Sequence, residues 1–173
     1  MPTPAFDDDA LRALIPRLRR FARTLARDPA AADDLVQATL EKALTRAAGR
    51  RDDAALQPWL FSILYRRFVD DRRRAARWSR ISRLLAAPDA PGPATPEQVH
   101  DARASLSALA RLPEDQRALL MLVSVEGLAY RDAAEVLGIP VGTVMSRLSR
   151  ARRALRAINE AGAPAAPAVK ALP

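Results

Sequence analysis

The chain has 173 residues, 49% of them hydrophobic, which allows one ordinary domain or two small ones with real cores. Aromatics make up only 5%, and 28 basic residues outweigh 20 acidic ones for a formal net charge of +8. Scarce strand formers exclude a sheet protein, absent cysteine excludes disulfides and thiolate metal sites, and the basic excess points to a polyanionic partner. The cations are arginines apart from Lys42 and Lys170. The opening MPTPAFDDDALRALIPRLRR lacks the basic-then-apolar layout of a secretory signal, and no apolar run approaches the roughly 20 residues of a membrane span. The expectation is a soluble, cytoplasmic, all-α protein without membrane insertion.

Leu11, Leu14, Ile15, Leu18, Ala22 and Leu25 recur at helical spacing behind Asp7, Asp8 and Asp9, whose charges suit a helix N-terminus. Asp28-Pro29 punctuates the chain. A second helix is expected from about Ala31 to Arg46, with Leu35, Val36, Leu40 and Leu44 as its apolar stripe. A polar loop over Gly49–Leu56 follows. The third helix is expected to begin near Pro58, to carry Trp59, Leu60, Ile63, Leu64 and Phe68, and to run through an Arg-rich stretch to Arg83.

Pro88, Pro91, Pro93 and Pro96 then fall within nine residues, which no helix or central strand tolerates. This stretch reads as an extended linker between two small helical domains. Beyond it, helices are expected over Glu97–Arg111 with Val99, Leu106 and Leu109, from Pro113 up to a stop at Gly127, over Tyr130–Leu137, and over Val141–Arg156. The tail AGAPAAPAVKALP has the composition of a disordered end. The boundaries are therefore 1–86, a linker at 87–96, 97–160 and a tail at 161–173.

The stretch YRDAAEVLGIPVGTVMSRLSRARRALR carries the chemistry. Ala133, Ala134 and Leu137 would pack inward, Gly138 can take the left-handed conformation that ends a helix, Ile139 can plug the core, and Pro140 presets the next start. On the following helix Val144, Leu148, Ala151 and Leu155 share one face, while Thr143, Ser146, Arg147, Arg150 and Arg153 share the other. Two readings fit the spacing: a helical hairpin whose arginines are solvated, or a helix-turn-helix whose second helix enters the major groove. The Gly-Ile-Pro turn, small Gly142 near the helix start and the net charge favour the second. Arginine suits it because the guanidinium pairs bidentately with guanine edges or grips phosphates.

The longer segment LPEDQRALLMLVSVEGLAYRDAAEVLGIPVGTVMSRLSRARRALR strongly resembles the C-terminal promoter-binding domain of extracytoplasmic-function sigma factors, and its G-T-V-x-S-R-L-x-R-A-R-x-x-L string is intact from Gly142 to Leu155. The resemblance implies that Thr143, Ser146, Arg147 and Arg150 read the −35 element, with Arg131 and Arg153 on phosphates.

DDLVQATLEKAL is similar to the family helix that docks on the β′ clamp of core RNA polymerase, implying a polymerase-binding role for Asp34, Leu35, Gln37 and Leu40. Ala38 departs from the acidic residue frequent there. PWLFSILYRRFVDDRRRAAR resembles the helix that melts the −10 element, implying roles for Tyr65, Arg66, Arg67, Arg72, Arg73 and Arg74, with Tyr65, Phe68 and Trp78 as stacking candidates. Trp59, Phe61 and Phe68 read better as core. Arg66 stands where family members often have Asn, so the residue that captures a flipped base is not assigned. An anti-sigma factor is a partner typical of the family.

No catalytic constellation is visible. His100 is a lone histidine, no phosphate-binding glycine loop occurs, and Asp70 and Asp71 diverge by about 100° on a helix, so they balance arginines better than they hold a metal. The expectation is a non-enzyme without cofactor or metal. Two rivals remain open: a stand-alone helix-turn-helix regulator, and a sigma mimic that sequesters an anti-sigma factor.

Overall fold

The computed structural model describes residues 8–26, 28–46, 56–85 and 108–162. These residues are helical without a strand. They form α1 (Asp8–Leu25), α2 (Pro29–Arg46), α3 (Leu56–Leu85), α4 (Glu114–Leu120, continuing into a π-helical turn Met121–Val125), α5 (Tyr130–Leu137) and α6 (Val141–Gly162). The linker expected at 87–96, His100, the start of the helix expected from Glu97 and the tail beyond 162 lie outside the described residues.

Each helix start has a local cause. The Asp28 carboxylate accepts a hydrogen bond from the Ala31 amide (2.9 Å), and Pro29 opens α2 where a missing amide hydrogen costs nothing. Helix α3 begins at Leu56, two residues before the expected Pro58, because a proline inside the first turn still has no intrahelical bond to lose. Helix α4 follows Pro113, whose extended backbone (φ −52°, ψ 143°) sets up the Arg117 amide to Pro113 carbonyl bond at 2.9 Å.

The turn between α5 and α6 is a full Schellman motif. Gly138 sits at φ 65°, ψ 37°, its amide donates to the Glu135 carbonyl (3.3 Å), and the Ile139 amide donates to the Ala134 carbonyl (3.0 Å). The left-handed residue reverses the chain, and Pro140 then offers its carbonyl to the Thr143 amide at 2.9 Å, launching α6. The expectation for Gly138 is met in detail.

Helices α1, α2 and α3 pack on one another, α4 and α5 pack on α6, and α3 packs on α5 while α1 packs on α4. One apolar core consequently runs through both halves. It includes Leu18 and Phe21 of α1, Leu60, Phe61 and Leu64 of α3, Leu119 and Leu122 of α4, and Val144 and Leu148 of α6. Phe21 and Phe61 meet tilted at 5.2 Å between centroids. Full burial of each such side chain contributes about 1.5–3 kcal/mol against exposure.

Two positions on the expected stripes turn out differently. Leu44 is 61% exposed, and the inner face of α2 is instead Ala32, Leu35, Val36, Thr39 and Ala43. Ala43 lets the helix approach its neighbours closely, which phases the inner face away from Leu44. In α5 the deeply buried residue is Val136 (2%), while Leu137 is half-buried. Buried Thr39 is satisfied by its own helix, donating to the Leu35 carbonyl at 2.7 Å.

Candidate nucleic-acid and polymerase interface

Helix α6 is amphipathic around a sharp divide. Val144, Leu148 and Ala151 are buried, Leu155 is half-buried, and Ser146, Arg150 and Arg153 are exposed. Thr143 and Arg147 are half-buried at the edge of that face, and the Arg147 guanidinium lies 3.6 Å from the Asp115 carboxylate of α4. Ser146 donates to the Thr143 carbonyl (3.0 Å), which holds its hydroxyl along the helix. Arg131 is exposed on the first turn of α5. The six residues expected to read the −35 element thus share one end of the molecule, but only four of them stand fully in solvent.

A search for polar base readers alone passes over Met145, which is 67% exposed between Val144 and Ser146, and Val141, which is 50% exposed. An apolar side chain at the start of a recognition helix can contact a thymine methyl, so the exposed face carries both kinds of reader. Beside it Tyr130, Met145, Arg152, Arg153 and Arg156 line a shallow basic groove.

On α3 the core ends abruptly. Phe68 is the last buried side chain, and every described side chain from Arg72 to Ile81 is exposed. Arg66, Arg67, Arg72, Arg73 and Arg74 all reach solvent, and Trp78 is 71% exposed. Phe61 and Phe68 belong to the core, and Trp59 is half-buried against it. Asp71 balances arginines as its spacing implies, lying 2.9 Å from Arg67 and 3.6 Å from Arg74. Arg72 pairs instead across the halves with Glu114 of α4.

Tyr65 is half-buried where α3 faces the second half of the chain. Burial pushes its hydroxyl pKa above the ordinary value and nearby Asp115 adds to the rise, while Arg147 and Arg72 oppose it. A residue expected at the −10 element and one expected at the −35 element therefore sit within electrostatic reach of each other.

Helix α2 presents a different surface. Asp34 and Gln37 are exposed, and so are Glu41 and Leu44 further along the same face; Gln37 donates to the Glu41 carboxylate at 3.1 Å. Leu40 is half-buried. Leu35, expected among the polymerase-binding residues, is only 7% exposed and belongs to the core, so it anchors the helix rather than facing outward. Its place one residue after Asp34 turns it by about 100° to the inner side.

The comparisons agree with this division. Residues 103–155 match the model for sigma-70 region 4, and residues 11–65 match the model for the Sigma2 domain of PhyR. The ECF RNA polymerase sigma factor EcfG of Rhodopseudomonas palustris is 40% identical over 149 residues, covering 84% of this chain and 80% of the relative. The chain belongs to the extracytoplasmic-function RNA polymerase sigma factors. SigM of Mycobacterium tuberculosis, another ECF sigma factor, is 37% identical over 131 residues, covering 76% of this chain and 65% of the relative. The sigma factor RpoE of Bartonella quintana, solved in complex with the anti-sigma factor NepR, superposes with a TM-score of 0.74 at 33% identity, covering 90% of this chain and 97% of that one. CnrH, solved with the cytosolic domain of CnrY, gives 0.64 at 26% identity, covering 90% and 88%.

Among the described residues of this sigma factor, no group of acidic or histidine side chains could hold a metal ion, and no helix is long and apolar enough to cross a membrane. Its most densely bonded polar site is one that no motif announces. Glu126, 2% exposed at the end of α4, accepts from Arg17 Nε (2.9 Å) and Arg20 Nε (2.8 Å) of α1. Its carbonyl accepts from Arg17 Nη2 and from Gln57 Nε2 of α3 (3.0 Å). Arg17 also donates to Gln57 at 3.2 Å. The signal was in plain view, since Glu126 directly precedes the helix-stopping Gly127, but its partners lie more than 60 residues away.

Proposed function

We propose that this sigma factor binds core RNA polymerase through the exposed face of α2 and directs initiation at promoters read by both halves of the chain. In this reading residues 1–86 dock on the polymerase β′ clamp and open the −10 element, residues 87–96 link, and residues 97–160 hold the −35 element. The observation that carries it is the presence, on one chain, of an uncovered acidic and apolar α2 face and a helix-turn-helix whose outer side is basic. Asp34, Gln37 and the exposed Leu44 suit a basic helical partner, with Leu40 at the edge of the contact. Arg66, Arg67, Arg73 and Arg74 supply charge for single-strand phosphates, and Tyr65 or Trp78 a face for an unstacked base. Ser146 and Arg150 read base edges, Thr143 and Arg147 join them once free of α4, and Arg131 and Arg153 grip phosphates.

The protein acts where polymerase acts, in the cytoplasm, and as a specificity subunit rather than an enzyme. An anti-sigma factor is a partner, in keeping with the two solved relatives held by NepR and CnrY. Purified core polymerase plus this chain should produce run-off transcripts from a defined promoter, and each component alone should not. A second reading, a sigma mimic, has one observation behind it: residues 11–65 match the Sigma2 domain of PhyR. A mimic would bind an anti-sigma factor yet give no transcript in the same assay.

A further inference from the structure

The two DNA-reading surfaces are folded against each other. Tyr65 and Arg72 of α3 face α4, and Asp115 on that helix holds Arg147 of α6. The −10 and −35 elements lie about 25 base pairs apart, roughly 85 Å along B-form DNA at 3.4 Å per step. A compact body of this chain length has a radius of gyration of about 16 Å, a diameter of roughly 40 Å. The packed arrangement therefore cannot occupy both elements, and the halves must separate for the proposed function, on which this inference rests.

We propose that Glu126, clasped by Arg17, Arg20 and Gln57, is the latch of a closed state in which the chain masks its own promoter-reading surfaces. Three features single this cluster out from ordinary core packing. It joins α1 and α3 of the first half to α4 of the second through five hydrogen bonds on one residue's side chain and carbonyl. Its carboxylate is fully buried while its arginine partners are 33% and 48% exposed, so water can rehydrate the guanidiniums when the seam opens. It also depends on a special backbone. The π turn closes with the Glu126 amide donating to the Met121 carbonyl (2.9 Å), and Gly127 at φ 69° follows. The added residue in that turn swings Glu126 into the seam, in line with the frequent placing of π turns at functional positions. The α2 face stays uncovered in this state, so polymerase can bind before the halves part, and its contacts together with promoter DNA offset the loss of the latch.

The full chain contains no cysteine, so an introduced pair can be cross-linked specifically. Ala31 of α2 and Glu114 of α4 line the same groove across the seam, and neither is assigned to DNA or polymerase. Ala31→Cys with Glu114→Cys, joined by a reducible bis-maleimide, should lose transcription at least tenfold while binding core polymerase as before, and reductant should restore it. From the other side, Glu126→Gln should enlarge the radius of gyration in small-angle scattering by about a fifth with helix content unchanged. If Glu126→Gln fails to fold, Arg17→Gln with Arg20→Gln must give the same expansion, since it removes the latch from the solvent side. Transcription by the cross-linked chain at the unlinked level, or wild-type compactness in the folded latch variants, overturns the proposal. Failure of the unmodified chain to initiate overturns the sigma reading instead, while scattering still decides whether a latch exists.

Discussion

Helices α2 and α6 both carry an exposed polar face over a buried apolar one, yet the fold treats them differently. The α2 face, with Asp34, Gln37, Glu41 and Leu44, meets no other part of the described structure and leaves a large apolar side chain in water. The α6 face is partly engaged, with Arg147 turned toward Asp115 and set near Tyr65 of the opposite half. An exposed leucine beside an acid is costly unless something covers it, and an engaged arginine must be released before it can read a base. The difference orders the two partners: the surface for polymerase is ready, and the surface for DNA is not.

Substitutions can break that ordering or sharpen it. Arg150→Ala removes a fully exposed reader and should lower promoter-specific transcription by about 1–3 kcal/mol of discrimination, with polymerase binding unchanged. An equal loss of polymerase binding would erase the contrast between the faces. Asp34→Ala should do the converse, weakening core binding in a pull-down titration by on the order of 1–2 kcal/mol without altering the start site.

Gly138→Ala meets open space but needs a side chain at positive φ, so thermal unfolding should show a loss of about 1–2 kcal/mol. Because Gly138 aims α6, DNA binding should fall with it while polymerase binding holds. The smallest effect concerns Tyr65. Its folded pKa is raised above the ordinary 10.0, so the folded chain holds the proton more tightly than the unfolded one. The stabilisation is complete below about pH 10 and drains away as pH rises through the folded value. Tyr65→Phe should remove that alkaline loss in denaturation profiles compared above and below pH 10.

Much of this was legible in the chain because it is local. Helical spacing in α1, the proline and aspartate that open α2, and the Gly-Ile-Pro turn each depend on neighbours within a few residues, and short-range sterics act alike in any fold. The reading face of α6 followed from its periodicity for the same reason. Leu44, Val136 and Met145 did not, since whether a residue on the border of a stripe is inside or outside depends on the neighbouring helix and on small residues such as Ala43.

The sequence by itself determined an all-α chain, basic on one recognition helix, with the motifs of an extracytoplasmic-function sigma factor. Only the tertiary structure decided that the two halves share a core, that Leu35 serves the core and not the polymerase, and that Arg147 and Tyr65 meet across the seam. The latch is the clearest case. Glu126, Arg17, Arg20 and Gln57 are unremarkable where they stand in the chain, and a buried carboxylate is stable only when donors from distant segments arrive together.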